Sequence, residues 1–471
     1  MVRKSVAIIG AGVSGLAAGK VLLEEGFDIT IFGLQIGQGE TFIVIINSFL
    51  YILDLYIIAM DCAPWQNIHS YLKRYANKFH LIERIRFERK IILIDKNDLE
   101  NGNLPWIVKV ETASGDHETF EFDLIVVATG LFSTPEKPNF RGQNKFAGSI
   151  MHITGIKSED QLKNKHVIVI GGARSAIDMA TLAAMHENYG FSRIFTHIFD
   201  PFPNAPHSAA FYFLHHLFAD EKFIPKGSIR NAHNIMRVTK EFVTMIRENR
   251  IIRKLASIDE IIDKITIRLD SGEFLQADLL ICATGFIETF PFLSETLTKT
   301  LVRNTTRSTS DEGIDLDLYR RIIPIGISNI TFIGLPAPLH TWMFYEVQCH
   351  WMSDYFLGRI KLPNTEKEMY EEIETTRQFI YKMFKRKSYY FQYYWLEPME
   401  IYLRDMGLSL YRTNNWISEY FGVYRPKRLS TVHDERKAKA EANPAGPLNM
   451  VSLDPGLPLI SPAIVTPSVA P

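Results

Sequence analysis

The stretch SVAIIGAGVSGLAAGKVLLEEGFDITIF, residues 5–32, decides the fold of this 471-residue chain. It predicts a strand, a glycine turn, a helix and a second strand, because the apolar residues 6–9 suit a parallel strand buried on both faces. In the turn, Gly10 allows the tight bend, Gly12 lets a pyrophosphate approach the backbone and Gly15 lets the helix pack on the strand. The free N–H groups at the helix start would face the phosphates. The stretch therefore predicts a βαβ unit that binds a dinucleotide through Gly10, Ala11, Gly12, Val13, Ser14 and Gly15.

One part of this fingerprint is missing at the end of the second strand. An acidic residue usually stands there, about 20 residues after the turn, and binds the ribose hydroxyls, whereas this chain has Gly33. The loss of one charge-assisted hydrogen bond predicts a site that is weaker by about 1.5–3 kcal/mol, or roughly ten- to a hundredfold in affinity. Gly33→Glu is therefore expected to tighten binding if the strand end faces the ribose.

A second nucleotide turn follows about 160 residues after the first. The strand HVIVI (166–170) leads into GGARSA (171–176) and then into a helix through Leu182. Alanine takes the second and third glycine positions, and as the smallest replacement it still lets the turn approach a phosphate. The pattern predicts a second dinucleotide, bound through Gly171, Gly172, Ala173, Arg174, Ser175 and Ala176.

Two apolar strands end in the same small-residue turn. Ala-Thr-Gly closes both the run DLIVVATG (123–130) and the run that ends in ICATG (281–285). The first turn would return the chain to the first nucleotide site, and the second would return it to the first domain. Their candidate binding residues are Thr129, Gly130, Thr284 and Gly285.

The composition narrows the function classes. With 52 basic and 53 acidic residues the net charge is −1, so the overall balance favours neither nucleic acid nor an anionic membrane as a partner. Cys62, Cys282 and Cys349 are far apart and form neither a C-x-x-C pair nor a metal-ligand cluster. We therefore expect a reducing, cytoplasmic location and no metal site. We also expect no signal peptide, because the glycine turn follows Met1 within ten residues.

The apolar run TFIVIINSFLYILDLYIIAM, residues 41–60, is long enough to raise the question of a membrane span. A span here would cross the membrane in the middle of a nucleotide-binding domain. A buried or locally misfolded segment, or a translated stretch of intron, is the favoured interpretation. We therefore predict no firm membrane span.

The two nucleotide turns, the two Ala-Thr-Gly turns and one further motif together resemble the flavin-containing monooxygenases. The further motif is FAGSIMH (146–152), which matches that family's F-x-G-x-x-x-H fingerprint and lies where the family has it, between the first Ala-Thr-Gly turn and the second nucleotide turn. The resemblance covers roughly residues 5–40 and 65–425. The residues that it adds to the cofactor sites are Gly39, Thr41, Phe146, Gly148 and His152.

The chain departs from this family in three places. The family has an acidic residue and then G-G-T-W, where this chain has Gly33 and then GETF (39–42). The following family segment, which helps to shape the flavin site, is not recognisable in residues 42–60. Asp200 stands where the family more often has a basic residue for the 2′-phosphate of NADPH.

The resemblance implies an α/β fold with two Rossmann-like, doubly wound dinucleotide-binding domains, the NADPH domain being inserted in the FAD domain. We predict the first part of the FAD domain at 1–155, and the NADPH domain at 156–285 with a helical insertion at about 206–250. The second part of the FAD domain, with C-terminal helices, is predicted at 286–430. The proline-rich end predicts a disordered tail at 431–471.

The resemblance also implies an FAD- and NADPH-dependent monooxygenase. Such an enzyme inserts one oxygen atom of O2 into a soft nitrogen or sulfur atom of a small molecule through a flavin hydroperoxide. The cofactor carries the reaction, so no catalytic side chain is predicted. NADPH is the expected donor, and we hypothesise that Asp200 makes NADH usable as well. The oligomeric state stays open, with a homodimer as one option.

Three other classes have the same pair of nucleotide turns. A dithiol-type flavin reductase needs a redox cysteine pair, which this chain lacks. A Baeyer–Villiger monooxygenase shares the fingerprint but usually continues to a Trp-Pro pair, whereas residues 153–157 here are ITGIK. The third alternative is a degenerate relative without catalytic activity, which the departures at Gly33 and Glu40 leave open.

Overall fold

The computed structural model describes residues 3–33, 65–96, 106–130, 132–172, 174–185, 192–195, 240–287, 289–301, 316–336, 341–384, 397–410, 412 and 426–442. Gly39, Thr41, Ala173, Asp200, the apolar run at 41–60 and residues 206–239 of the predicted insertion lie outside these ranges. Within them, no helix combines the length and the apolar character that a bilayer crossing requires.

The strands are β1 Ser5–Ile9, β2 Asp28–Gly33, β3 Ile85–Phe87, β4 Arg89–Lys96, β5 Trp106–Thr112, β6 His117–Phe122, β7 Leu124–Val127, β8 Thr134–Pro135, β9 Ser149–His152, β10 Val167–Ile170, β11 Ser192–Phe195, β12 Ile251–Lys254, β13 Ile258–Ile261, β14 Thr266–Leu269, β15 Phe274–Gln276, β16 Leu279–Cys282, β17 Phe286–Ile287, β18 Leu318–Tyr319, β19 Ile323–Pro324 and β20 Ile330–Phe332. The α-helices are α1 Val13–Glu24, α2 Trp65–Lys78, α3 Arg174–Met185, α4 Lys240–Arg247, α5 Glu295–Leu301, α6 Thr341–Phe356, α7 Glu366–Phe384, α8 Glu397–Asp405 and α9 Val432–Ala442.

The first sheet is built around β1. Its order is β20-β7-β1-β2-β3, and all four pairings are parallel. Val6, Ala7 and Ile8 are fully buried, and so are the residues at 125–127 of β7, as expected of parallel strands covered on both faces. Helix α1 lies on this sheet and packs against α6. The opening stretch therefore folds as the predicted βαβ unit.

The second sheet has the order β12-β11-β10-β16-β9 and is also parallel throughout. Side chains of β10 alternate between its two faces: Val167 and Val169 join one buried cluster, while Ile168 and Ile170 join another on the opposite face. Both faces are thus covered, which accounts for the unbroken apolar runs in the sequence. The predicted α/β fold with two parallel dinucleotide-type sheets is confirmed.

An equivalent aspartate contact lies at the start of the central strand in both sheets. Asp123, just before β7, accepts a hydrogen bond from the backbone N–H of Ser5 at 2.7 Å. Asp278, just before β16, accepts one from the backbone N–H of His166 at 2.8 Å. In each case the carboxylate satisfies a backbone donor at the start of the strand that precedes a glycine turn.

The two sheets are joined by two short segments that pair with each other. Strands β8 and β17 are antiparallel, with Phe286 opposite Pro135. Strand β9 (149–152), which lies before the predicted boundary at residue 155, is an edge strand of the second sheet. Phe146 and Ile150 pack on the core of that sheet, so the fingerprint segment belongs to the second unit. Burial of its apolar side chains there decides the boundary.

The predicted disorder of residues 431–471 is wrong for its first part, since α9 covers residues 432–442. Arg436 of α9 is 1% exposed and donates two hydrogen bonds to Asp354 at 2.7 and 2.9 Å. It also lies 3.2 Å from a carboxylate oxygen of Glu25 and donates to Nδ1 of His350 at 2.7 Å. Burial and the adjacent Arg436 hold the pKa of His350 well below its ordinary value. A neutral imidazole is the form that can accept this bond.

Replacement of Arg436 tests this buried ion cluster. Arg436→Met should lower the free energy of unfolding by about 3 kcal/mol, because it leaves the fully buried Asp354 with one cation fewer. Lys437→Met is the matched control, since Lys437 is exposed on the same helix. Urea denaturation of the three proteins measures the effect. Equal stability of the two variants would contradict the structural role of Arg436.

Candidate functional site

The first glycine turn is closed by two backbone contacts. Gly10 has a φ of +120°, and a Cβ added there would lie 2.4 Å from the carbonyl oxygen of Ala128. A Cβ on Gly15 would lie 1.9 Å from the carbonyl oxygen of Gly10. Neither position can carry a side chain, because backbone atoms occupy the space. The N–H of Gly10 also donates to the carbonyl of Phe32 at 2.8 Å, which ties the turn to the end of β2.

Gly12 lies at the start of α1, and a Cβ added to it would have no atom of the described residues within 4 Å. Its φ of −85° and ψ of −167° are ordinary extended values. Helix α1 has no side-chain cap and no acidic residue in its first turn. In the described part of the chain its first N–H groups therefore have no side-chain cap, and the helix end favours an anion.

Thr129 provides an unpaired polar group beside this turn. Its hydroxyl is buried and has no hydrogen-bond partner among the described residues. The preceding N–H of Ala128 donates to the carbonyl of Ile9 at 2.8 Å, so the Ala-Thr-Gly turn lies against the end of β1. A buried hydroxyl without a partner is costly, and a polar ligand atom would satisfy it. The turn, helix end and hydroxyl fit the diphosphate part of a dinucleotide.

The second turn repeats the backbone geometry of the first. Gly171 has a φ of +141°, and its Cβ would lie 2.3 Å from the carbonyl oxygen of Ala283. The N–H of Ala283 donates to the carbonyl of Ile170 at 2.7 Å. This bond is equivalent to the one from Ala128 to Ile9 at the first turn. Ala176 is buried in the core beside this turn. The second Ala-Thr-Gly turn thus closes the second nucleotide turn, a placement that the repeated motif by itself did not predict.

His152 lies beside the two segments that run between the sheets, β8 and β17 with their flanking residues, which we call the crossing. Its Nε2 lies 2.9 Å from the carbonyl oxygen of Gly285, and its Nδ1 accepts from the N–H of Thr154 at 3.3 Å. We infer the Nε2–H tautomer, since a carbonyl can only accept. The same Gly285 oxygen accepts from the N–H of Glu136 at 3.0 Å, and the Thr284 hydroxyl donates to the carbonyl of Glu136 at 2.6 Å. Burial lowers the pKa of His152.

Phe146 and Gly148, which were predicted to serve a cofactor site, have protein neighbours. A Cβ on Gly148 would lie 2.2 Å from the carbonyl oxygen of Asp278 and 2.7 Å from the Phe146 ring. The glycine therefore permits a close approach to the start of β16, and the phenylalanine covers it. In the described part of the chain, the fingerprint acts as a packing unit that carries His152 to the crossing.

Sequence reasoning missed a support of the first turn that comes from the C-terminal half. Gly334, after β20, lies so close to Ser14 that an added Cβ would be 2.5 Å from the Ser14 hydroxyl. Its N–H donates at 3.0 Å to the side chain of Gln348, which is fully buried. Gln348 of α6 belongs to no motif, so only its burial and its bond to Gly334 identify it.

Comparisons with known proteins identify a matching family and several similar proteins. A family model described as flavin-binding monooxygenase-like matches residues 61–191 and 216–407. The chain is 27% identical over 433 residues to flavin-containing monooxygenase 1 of Sus scrofa, covering 80% of this chain and 77% of that protein. It is 24% identical over 415 residues to 4-hydroxybenzoate brominase (decarboxylating) of Marinomonas mediterranea, covering 78% and 76%. The solved structure of S-allyl-L-cysteine S-oxygenase from Allium sativum has a similar fold, with a TM-score of 0.60, 19% identity and 94% of each chain covered.

The buried imidazole at the crossing predicts a dependence of stability on pH. Because the pKa of His152 is lowered in the folded state, the unfolded chain binds a proton more readily near the usual histidine pKa of about 6.5. The stabilisation is complete above that value and is lost as the pH falls through it towards the folded pKa. Unfolding by urea at a series of pH values measures the loss.

Two variants make this expectation specific. His152→Gln keeps a donor and an acceptor but does not titrate in this range, so it should lose less stability on acidification than the wild-type protein. His117→Gln replaces an exposed histidine and should keep the wild-type pH dependence. An identical pH dependence in all three proteins would contradict the assignment to His152.

Proposed function

Because this chain belongs to the flavin-binding monooxygenase-like family, we propose that it uses FAD and NADPH to transfer one oxygen atom of O2 to a soft nitrogen or sulfur atom of a small molecule. The observation that carries the proposal is the pair of glycine turns, at Gly10 and Gly171, each closed by an Ala-Thr-Gly turn in its own parallel sheet. Two such sheets provide one site for each dinucleotide.

The first site would hold FAD by its pyrophosphate. The N–H groups at the start of α1 would donate to the phosphate oxygens, the open space at Gly12 would admit them, and the Thr129 hydroxyl would gain a partner. Gly39 and Thr41 belong to the same proposal but lie outside the described residues. Bound FAD supplies the electron transfer and oxygen chemistry that side chains lack. The protein's part is to bind, orient and exclude water.

The second site would hold NADPH on the turn at 171–176. The backbone of Gly171 is tied to the Ala-Thr-Gly turn, and His152 holds that turn to the crossing through Gly285. We propose that this bond positions the two nucleotide turns relative to each other. Asp200 lies outside the described residues, so the use of NADH beside NADPH stays a prediction, as does a cytoplasmic location.

The substrate class is the finer part of the proposal. The likeness to the S-allyl-L-cysteine S-oxygenase structure, at 19% identity, shows the fold alone, and the similar Marinomonas mediterranea protein is named as a brominase. Support for a soft nitrogen or sulfur atom comes from the fingerprint at 146–152, which is not followed by the Trp-Pro pair that is usual in Baeyer–Villiger enzymes. The departures from the family at 33–42 make direct measurement of activity necessary.

The proposed reaction is tested with the FAD-loaded protein under 18O2. NADPH should bleach the flavin absorbance in the absence of oxygen. When 18O2 is then admitted, a tertiary amine or a thioether should gain one 18O atom.

The choice of donor is tested by running NADH in parallel on the wild-type protein and on Asp200→Arg, which should gain selectivity for NADPH. Conversion of a cyclic ketone to a lactone alone would instead indicate Baeyer–Villiger chemistry. Absence of flavin reduction by both donors would indicate a relative without catalytic activity.

Substitution of Gly12 tests the FAD site itself. Gly12→Val should fold normally, because no atom of the described residues lies within 4 Å of its Cβ. It should nevertheless weaken FAD binding by roughly a hundredfold or more, since the branched side chain fills the space for the pyrophosphate. Gly12→Ala is the graded control and should bind with intermediate strength. Flavin titration and melting of the apoprotein measure the two properties. Wild-type FAD affinity in Gly12→Val would refute the assignment.

A further inference from the structure

The first turn of α1 packs directly against a glycine from the C-terminal half of the chain. Gly334 follows β20 and has a φ of +82°, and a Cβ added to it would lie 2.5 Å from the Ser14 hydroxyl and 2.7 Å from Ser14 Cβ. Ser14 stands in the first turn of α1 and is 6% exposed. No side chain fits between the two residues. The position of Gly334 therefore limits where the start of α1 can lie.

Gln348 of α6 fixes the backbone of Gly334. Its side-chain oxygen accepts the Gly334 N–H at 3.0 Å, and Gln348 is fully buried. Loss of this acceptor would take a partner from a buried backbone donor, which is costly. The next residue of α6, Cys349, lies 3.7 Å through its Sγ from the carbonyl oxygen of Ser14. Adjacent residues of α6 thus contact both members of the packed pair.

The other end of the Gln348 amide is bound as well. Its Nε2 donates to the Tyr402 hydroxyl at 3.4 Å, and that hydroxyl donates to the carbonyl of Arg320 at 2.8 Å. Arg320 is held in turn by two hydrogen bonds to Asp405, at 2.7 and 3.1 Å. The opposite orientation of the amide would place two donors against each other at Gly334. The contacts with α8 therefore keep the amide oxygen directed at the Gly334 N–H.

We propose that Gln348 is a positioning residue for the first dinucleotide site. Through Gly334 it holds Ser14 in place, and it thereby directs the N–H groups at the start of α1 towards the diphosphate. The inference rests on the proposed function for the identity of the ligand, FAD. Gln348 acts through Gly334 and Ser14 rather than by contact with the ligand. Because hydrogen bonds weaken steeply when donor and acceptor are misaligned, a small shift of this turn would lower the affinity for FAD.

Two variants of α6 separate this role from a general contribution to stability. Gln348→Met keeps the approximate size of the side chain and removes the acceptor from Gly334. Trp351→Phe is the matched control, because Trp351 is fully buried in the same helix and its Nε1–H donates to Asp405 at 3.0 Å. Each substitution removes one buried hydrogen bond, so each should lower the melting temperature of the apoprotein by roughly 2–6 °C.

Nucleotide affinities of the apoproteins distinguish the two variants. Gln348→Met should bind FAD roughly tenfold more weakly than the wild-type protein, whereas Trp351→Phe should keep the wild-type affinity. NADP+ should bind equally well to all three proteins, because the second turn lies in the other sheet and is closed by Ala283. Gln348→Asn draws the amide back by one methylene group and takes the place of Gln348→Met if that variant does not fold.

Two outcomes of these titrations would overturn the positioning role. One is wild-type FAD affinity in Gln348→Met. The other is a loss of affinity that is the same for FAD and NADP+, or the same in Gln348→Met and Trp351→Phe, since either result would indicate a general loss of structure.

Hydrogen exchange of the apoproteins tests the geometry without any ligand. In Gln348→Met the backbone amides of residues 10–20 and 330–335 should exchange roughly three- to tenfold faster than in the wild-type protein. Trp351→Phe should leave these segments unchanged, and equal exchange there in the two variants would overturn the inference. Failure of the wild-type protein to bind FAD would overturn the proposed function instead, while the exchange experiment still decides whether Gln348 positions the start of α1.

Discussion

The approach of a glycine backbone to a carbonyl oxygen is the constraint on which both nucleotide turns depend. At Gly10 the neighbour is Ala128, and at Gly171 it is Ala283; an added Cβ would come within 2.4 and 2.3 Å of the two oxygens. Because no side chain intervenes, the turn can lie against the returning strand while the helix packs over it. At the first turn the helix has no side-chain cap, and its first N–H groups suit an anion. One packing rule therefore produces the same turn geometry twice.

Helix α1 depends on the C-terminal part of the chain at its other end. Glu24 and Glu25 stand at its C-terminus, where the helix dipole disfavours negative charge, and its last turn has no basic residue. Arg359 and Arg436 lie 3.1 and 3.2 Å from carboxylate oxygens of Glu25, and the bond from Arg436 to Asp354 is fully buried. The C-terminus of α1 is thus held by two arginines, Arg359 in the loop between α6 and α7 and Arg436 in α9. The start of the same helix faces the proposed phosphates.

The crossing between the sheets has a different basis, which is the pairing of polar groups beside the buried His152 ring. The Gly285 carbonyl accepts from both the His152 ring and the Glu136 N–H. The imidazole must stay neutral to keep its acceptor bond from Thr154. In this chain the histidine of the fingerprint therefore makes polar bonds at the crossing, while its phenylalanine and glycine pack against β16. The proposal that His152 positions the two nucleotide turns rests on where this bond lies.

The sequence by itself determined the two nucleotide turns, the Ala-Thr-Gly strands, the α/β class and the family, because each rests on a local pattern whose spacing dictates its geometry. It did not indicate that β9 joins the second sheet or that a helix covers residues 432–442, since the pairing of β9 and the burial of Arg436 depend on partners far along the chain. The supports at Gly334 and Gln348 have no motif at all. Only the tertiary structure decided that residue 334 has no room for a side chain, because the Ser14 atoms that fill this space belong to α1. Local patterns depend on residues that are close in sequence. The volume available to a side chain depends instead on atoms that folding brings together.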